Sequence, residues 1–188
     1  MAAPNEVLLV RHGETDDNAA ARIQGRRDTL LNERGRAQSR ALAQRLRGEG
    51  LQALYTSPLQ RARATAQIVG DVLGLEPVVD GRLMEADAGD WSGRLIADIT
   101  AAVPDEWKRW RAADPAFRFP GGESVAEQAA RVRAALADVA RGPVPALVVT
   151  HGGAIRAVGA LDRTAGGSVG NCALYRLPAV GAAPSQRT

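Results

Sequence analysis

Two short apolar runs, each ending in a histidine, are the feature that most restricts how this chain can fold. Residues 6–10 lead into Arg11 and His12, and residues 146–150 lead into His151. Continuously apolar runs of this length are typical of buried strands in a parallel sheet. In open α/β sheets, ligands bind beyond the carboxyl ends of the strands. Because the chain has no other histidine, we expect both imidazoles at one ligand-binding edge of the sheet.

Other strand patterns and several helical patterns alternate with these two runs. Further strands are predicted at residues 51–55, 77–79 and 172–177. Four helices are predicted from their end signals. The first starts near Asn32, and the second is capped by Ser57, has Pro58 as its first residue and stops at Gly74. The third starts with a Ser124–Glu127 capping box and stops at Gly142-Pro143, and the fourth starts after His151. Strands separated by helices predict an α/β domain with a mostly parallel sheet.

The order of these elements predicts one domain over residues 1–188. We find no internal repeat and no linker, and we expect residues 178–188, rich in Ala, Pro, Gly and Ser, to form a frayed tail. Residues 91–122 are the least regular part and contain three prolines and several aromatic residues. This segment is predicted to be an excursion from the sheet.

Charge and cysteine content argue against several classes of protein. The net charge is only +3, both signs are interspersed, and no basic block of the kind found in nucleic-acid arms is present. Cys172 is the only cysteine, so neither an intrachain disulfide nor a thiolate metal cluster can form. The first residues do not resemble a signal peptide, and no apolar run approaches the ~20 residues of a membrane span. We therefore expect a cytoplasmic protein without nucleic-acid or membrane partners, as a monomer or homodimer.

Charged and polar residues near the predicted strand ends indicate an anion site. Arg11 precedes His12, Asn18 follows it closely, and Arg61 falls in the first turn of the helix predicted after Ser57. Guanidinium groups and helix N-termini both favour bound phosphate. Glu85 follows the predicted strand at 77–79 and could come from another strand end. Each residue alone is compatible with an ordinary solvated side chain, but together they are predicted to converge on one dianion.

A metal site is not expected. Glu14, Asp16 and Asp17 form no recognised ligand spacing with the histidines, and the neighbouring arginines would repel a cation. The predicted chemistry therefore uses no metal and no other cofactor.

The sequence resembles the histidine phosphatase superfamily, also called the phosphoglycerate mutase-like family. The motifs that carry the resemblance span most of the chain in the family's order: Arg11-His-Gly-Glu-Thr-Asp-Asp-Asn18, Gln24-Gly25, Leu31-Asn-Glu-Arg-Gly35, Thr56-Ser-Pro-Leu-Gln-Arg-Ala-Arg-Ala-Thr-Ala66, Leu83-Met-Glu85, Gly89-Asp-Trp-Ser-Gly93, Gly121-Gly-Glu-Ser124 and Thr150-His-Gly-Gly153. The resemblance implies a phosphoglycerate mutase-like fold, a three-layer sandwich with helices on both faces of the sheet.

The resemblance also implies a role for each site residue. His12 would attack phosphorus and become a phosphohistidine, while Glu85 would protonate the leaving alkoxide and then deprotonate water. The phosphoryl oxygens would be held by Arg11, Arg61 and His151, with help from Asn18. The remaining substrate-binding residues implied by the motifs are Thr15, Gln24, Gly25 and Gly152. Fixed donors suit such a reaction, because charge in a phosphoryl transition state is spread over three oxygens.

Within this family, the chain is similar to the phosphatase branch. The segments after Trp91 and between Gly153 and Asn171 are short, whereas mutases use long covering segments to retain a two-phosphate intermediate. The expected activity is hydrolysis of a small-metabolite phosphate ester. The alternatives are a mutase of the cofactor-dependent phosphoglycerate type and a non-catalytic phosphate-binding module.

Two pairs of residues could contact the substrate, and their roles bear on which chemical groups it carries. Arg26 and Arg27 lie near the expected pocket and could bind a second anionic group or form a solvated surface pair. Trp107 and Trp110, three residues apart, could form a lid that stacks on a sugar or base, or could simply pack against other residues. The sequence does not choose between these alternatives.

Overall fold

Five strands form a single sheet in the computed structural model, which describes residues 6–159 and 169–177. They are β1 (Val7–Arg11), β2 (Ala53–Thr56), β3 (Pro77–Val79), β4 (Ala146–Thr150) and β5 (Leu174–Arg176), in the spatial order β3-β2-β4-β1-β5. Every neighbouring pair is parallel except β1 and β5, which are antiparallel. The predicted α/β class with a mostly parallel sheet is confirmed. The predicted tail at 178–188 lies outside the described residues.

Helices connect most of the strands. They are α1 (Asp16–Ala19), α2 (Glu33–Leu46), α3 (Gln60–Leu73), α4 (Ile96–Ala102), α5 (Pro104–Arg111), α6 (Val125–Arg141) and α7 (Gly152–Ala157), together with single 3₁₀ turns at Gly81–Leu83 and Gly89–Trp91. No helix in the described ranges is both long and apolar enough to cross a membrane.

Most of the predicted helix ends are found, but one helix begins later than predicted. Asn32 caps α2, and Ser124 forms the predicted capping box with Glu127 at the start of α6. The prediction that Ser57 caps α3 was wrong, because α3 begins at Gln60 and has no side-chain cap. The Ser57 hydroxyl accepts from the N–H of Leu59 at 3.3 Å, one residue before the helix begins, and it also lies 2.8 Å from Nε2 of His151.

The sheet has a helical layer on each face, which explains why β1 and β4 are apolar up to their last residues, Arg11 and Thr150. Alternate residues of a strand point to opposite faces. Val7 and Leu9 pack in the same cluster as α6 and α7. Leu8 and Val10 pack with α2 and α3. Both faces of the central strands are therefore buried, and the predicted three-layer sandwich is confirmed.

Residues 91–122 contain no strand, as their irregular sequence predicted, and their aromatic side chains form a cluster of their own. Trp91, Phe117 and Phe119 are buried there, and Trp107 and Trp110 of α5 pack against them. Edge-to-face contacts such as that of Trp91 with Phe119, whose ring centroids are 5.4 Å apart, stabilise the cluster beyond simple burial. The excursion thereby holds α4 and α5 beside the sheet.

Close backbone contacts fix the loop that follows β1. The N–H of Gly13 donates to Thr65 Oγ1 of α3 at 3.0 Å. A Cβ on Gly13 would lie 2.5 Å from the carbonyl oxygen of Gly35, and a Cβ on Gly35 would lie 2.6 Å from the backbone nitrogen of Glu14. The loop that carries His12 therefore lies directly on the first turn of α2.

We predict that Gly35→Ala destabilises the protein by about 1–3 kcal/mol, because the added methyl group overlaps backbone that cannot move aside. Helix propensity alone predicts the opposite sign, a gain of about 0.5–1 kcal/mol. Gly81→Ala is the matched control, since nothing lies within 4 Å of a Cβ at that position. Urea unfolding measures both variants. A Gly35→Ala protein as stable as the wild type would contradict the close approach.

Candidate active site

A cavity of about 280 Å³ opens at the carboxyl ends of the central strands. The predicted site residues on its wall are Arg11, His12, Asn18, Gln24, Gly25, Arg61, Glu85 and Gly152. His151 and Thr15, which were also predicted to touch the substrate, are fully buried and are not among the wall residues. The topology explains the convergence, because β1 and β4 are adjacent and parallel and end at the same edge.

His12 is held as a neutral imidazole with one nitrogen available. Its Nδ1 lies 2.7 Å from the carbonyl oxygen of Gly13, so Nδ1 carries the proton and donates it. Its Nε2 accepts a hydrogen bond from Nε of Arg61 at 3.2 Å, so Nε2 presents a lone pair. Burial, and then the charges of Arg11 and Arg61, hold the pKa of His12 well below its usual value. The ring is therefore neutral at physiological pH, the form that a nucleophile needs.

Arg61 is fully buried yet has no carboxylate partner within ion-pair distance in the described part of the chain. Its Nη2 donates to the carbonyl oxygen of Gly25 at 2.8 Å, and its Nη1 donates to that of Arg27 at 2.6 Å. Burial lowers the pKa of Arg61 to about 10, which leaves the group charged at neutral pH. The first turn of α3 thus presents a fixed and uncompensated positive charge beside His12.

Arg11 supplies a second guanidinium group. Its Nη1 donates to the carbonyl oxygen of Val169 at 2.5 Å, while its Nε is buried and has no hydrogen-bond partner among the described residues. Gly152 borders this group, since a Cβ there would lie 3.5 Å from Arg11 Nε. An unpaired buried N–H costs free energy, and an incoming oxyanion would satisfy it.

Glu85 is positioned by three N–H donors. The backbone N–H of Ala86 and the side-chain amide of Gln128 donate to Oε1 at 2.9 and 2.8 Å, and the N–H of Gly153 donates to Oε2 at 2.9 Å. Position 153 must be glycine, because a Cβ there would overlap the Glu85 carboxyl group. Arg131 of α6 also donates to the carbonyl oxygen of Glu85 at 3.0 Å.

Sequence reasoning missed Gln128, although a signal for it was present. The residue is fully buried and lies within the apolar stripe of α6, between Val125 and Val132. A buried amide in such a stripe needs hydrogen-bond partners, and Glu85 provides one. A polar residue at a core-facing helix position was therefore the clue to a functional contact.

The second histidine contacts the residue that follows β2 and is not among the residues that line the cavity. The ring centroids of His12 and His151 are 5.2 Å apart, and His151 Nε2 contacts the hydroxyl group of Ser57. Burial, and then the charges of Arg61 and His12, hold the pKa of His151 well below its usual value. Its Nδ1 has no hydrogen-bond partner in the described chain.

In the loop after His12, one predicted site residue caps a helix and another lines the cavity. Thr15 caps α1 and accepts from the N–H of Asn18, so its hydroxyl group is used within the fold. The side-chain oxygen of Asn18 accepts from Thr15 and from the amide of Asn171, which leaves the Asn18 amide group available to the cavity. On the facing wall, Gln24 Oε1 accepts from the hydroxyl group of Thr29.

Of the two pairs of residues whose roles the sequence left open, one lies outside the cavity wall and the other lines it. Arg26 lies 3.4 Å from Glu123 and Arg27 lies 3.9 Å from Asp17, and neither is among the wall residues. Three other arginines do line the cavity, namely Arg22, Arg111 and Arg156. Trp107 and Trp110 line it as well, while also packing against Trp91.

We predict that neither imidazole titrates near pH 6.5 in the folded, untagged protein. The unfolded chain binds a proton at each histidine near that pH, whereas the folded chain does not, so stability falls as the pH drops below 6.5. The free energy of unfolding should decrease by about 1 kcal/mol per histidine between pH 6.5 and 5.5.

NMR of the ring protons follows the two imidazoles directly, and urea unfolding at the two pH values gives the energetic effect. His12→Asn should remove the contribution of one histidine from the pH dependence. A histidine that protonates with a midpoint near 6.5 in the folded protein would contradict the buried, arginine-flanked geometry.

Comparison with known proteins places this cavity in a family context. The chain matches the family model described as histidine phosphatase superfamily (branch 1) over residues 7–177. It is 38% identical over 134 residues to phosphoserine phosphatase 1 of Hydrogenobacter thermophilus, covering 71% of this chain and 64% of the relative. It is 42% identical over 153 residues to the probable phosphoglycerate mutase GpmB of Photorhabdus laumondii, covering 78% and 69%.

A solved structure extends the similarity to most of both chains. A mycobacterial glucosyl-3-phosphoglycerate phosphatase complexed with VO3 superimposes with a TM-score of 0.83 at 36% identity, covering 92% of this chain and 90% of that one. The family model covers the two histidine strand ends, the buried arginines and the carboxyl group of Glu85. The chain therefore belongs to the histidine phosphatase superfamily, branch 1.

Proposed function

We propose that the protein hydrolyses phosphate monoesters of small metabolites through a phosphohistidine at His12. The observation that carries the proposal is the lone pair of His12 Nε2, which lies on a cavity wall shared with the buried guanidinium group of Arg61, the half-buried one of Arg11, and Glu85. A nucleophile, cationic donors and an acid–base group are the parts that phosphoryl transfer requires. The phosphatase-named relatives support the same class of substrate.

In the first step, His12 Nε2 forms a bond to phosphorus and the bond from phosphorus to the ester oxygen breaks. Glu85 donates its proton to the departing oxygen, which leaves as an alcohol. The charge on the three remaining oxygens is balanced by Arg11 and Arg61, with the Asn18 amide group as a further donor. The contact between Arg61 Nε and His12 Nε2 must break for this step, which frees an Arg61 donor for the phosphoryl group.

In the second step, the Glu85 carboxylate accepts a proton from water, and the water oxygen attacks phosphorus. The bond between phosphorus and His12 breaks, so inorganic phosphate leaves and His12 regains its lone pair. A non-catalytic phosphate-binding module would not need a carboxyl group held by three donors on the cavity wall. The placement of Glu85 thus favours an enzyme.

Phosphoryl transfer within a phosphorylated sugar acid is the second candidate, because one relative at 42% identity is named a probable phosphoglycerate mutase. Addition of a bisphosphate primer to phosphoglycerate would reveal this activity as isomerisation without phosphate release. The primer assay decides between the two candidates, because relatives with each kind of name match most of this chain. The cytoplasmic location, the oligomeric state and the absence of a metal requirement remain predictions.

We predict that hydrolysis of phenyl phosphate by the purified protein survives excess EDTA and falls by about 1,000-fold or more in His12→Ala, because the nucleophile is lost. The release of phosphate measures both effects. Activity that disappears in EDTA and returns with an added metal would contradict the proposed mechanism. Activity retained by His12→Ala would exclude the phosphohistidine.

We predict that Glu85→Gln affects esters according to their leaving groups. An alkyl phosphate needs a proton on its leaving oxygen and should lose about 100- to 10,000-fold in kcat, whereas 2,4-dinitrophenyl phosphate should lose less than about 10-fold when formation of the phosphohistidine is measured. Glu76→Gln, which removes an exposed carboxylate outside the cavity, is the matched control. Equal losses on both esters would mean that Glu85 is not the proton donor.

A further inference from the structure

The cavity contains a group that the proposed reaction does not use. Arg156 of α7 lines the wall beyond the phosphoryl site, and its guanidinium carbon lies 4.8 Å from the ring centroid of Trp110. Its Nη1 atom is buried and has no hydrogen-bond partner in the described part of the chain. Stacking on an aromatic face orients the group but leaves its N–H donors unsatisfied.

Arg156 remains a cation in spite of its surroundings. Burial, and then the nearby charge of Arg111, lower its pKa to about 10, which keeps it protonated at neutral pH. No carboxylate in the described ranges lies within ion-pair distance of its guanidinium group. Arg156 is half-buried, and a partly buried charge with an unsatisfied N–H group is costly, so an anion entering the cavity would relieve that cost.

The charge of the whole wall supports the same conclusion. Five arginines line the cavity, whereas Glu85 is the one acidic side chain among the described wall residues. A bound phosphoryl dianion would balance only part of this positive charge. On the part of the wall that α7 contributes, Arg156 has no ion-pair partner in the described ranges.

Helix geometry sets the distance between the two anion sites. Gly152, which borders Arg11, and Arg156 are four residues apart on α7, so they lie on the same face of the helix. At 1.5 Å per residue, the two positions are about 6 Å apart along the axis. A second anionic group a few bonds away from the phosphoryl group would therefore reach Arg156.

We propose that Arg156, supported by the face of Trp110, binds a second anionic group of the substrate. The preferred substrates are then phosphate monoesters that carry another oxyanion, a carboxylate or a second phosphate, near the ester. This inference rests on the proposed function and specifies its substrate class. Trp110 consequently supports a charge-binding subsite as well as packing in the aromatic cluster.

Matched aryl esters test this subsite. The wild-type protein is assayed with phenyl phosphate, 3-carboxyphenyl phosphate and 3-phosphonophenyl phosphate, and the ratio of kcat/KM for each charged ester to that for phenyl phosphate is determined. We expect a ratio of about 10–100 for at least one charged ester, since hydrogen bonds to charged groups are strong when buried. The better of the two charged esters identifies the carboxylate or the second phosphate as the preferred group.

Variants of Arg156 distinguish binding of the second anionic group from a purely structural role of this residue. Arg156→Met should reduce the ratio to about 1–3, because it keeps an apolar stem against Trp110 but removes the charge. Arg156→Lys should restore part of the ratio. Arg63→Met, which removes an exposed arginine from α3, is the control and should keep the wild-type ratio. A purely structural role of Arg156 would lower all esters in proportion and leave the ratio unchanged, which would overturn the proposal.

Failure of the proposed function gives a different result. If the wild-type protein hydrolyses none of the esters, calorimetric binding to His12→Ala tests the subsite without turnover. Tighter binding of a charged ester than of phenyl phosphate, lost when Arg156→Met is added, would support the subsite even though hydrolysis had failed. Equal affinity for all three esters would overturn it.

Discussion

The contact between a neutral imidazole and a buried guanidinium group is the interaction on which the site depends. His12 can accept a hydrogen bond from Arg61 only while its other nitrogen donates to the carbonyl oxygen of Gly13. That orientation requires the loop after β1 to lie against α2, where Gly13 and Gly35 leave no room for side chains. The nucleophile is thus fixed by backbone packing several residues away from it, and core packing and chemistry cannot be separated here.

The arginines of this chain fall into two groups according to their partners. Surface arginines pair with carboxylates, as in the ion pairs of Arg82, Arg109, Arg118 and Arg176. Arg61 and Arg11 of the cavity wall instead donate to carbonyl oxygens, those of Gly25 and Val169. A carbonyl oxygen satisfies an N–H group without cancelling its charge. The fold therefore holds cations in place while keeping their charge available for a phosphate ester.

Patterns confined to one segment predicted most of the fold, and tertiary contacts decided what those patterns missed. The two apolar runs predicted β1 and β4, and the Ser124 capping box predicted the start of α6. The predicted start of α3 was wrong: the hydroxyl of Ser57 does accept from the N–H of Leu59, but Ser57 is also held by His151 and the helix begins only at Gln60. Gln128 and Arg156 were not singled out, since their importance arises from Glu85 and Trp110, which are distant in sequence.

The two histidines show why the same local motif need not give the same role. Each follows a buried parallel strand and precedes glycine, yet His12 lies on the cavity wall and His151 does not. The residues that follow differ as well, because Gly13 fits against α2, whereas Gly152 borders Arg11 and the second glycine, Gly153, makes room for the carboxyl group of Glu85 and donates to it. The segment that begins with His151 thus serves the acid–base group through its backbone, and the segment that begins with His12 serves the nucleophile. A pattern that is nearly symmetric in sequence becomes asymmetric because different helices pack against its two copies.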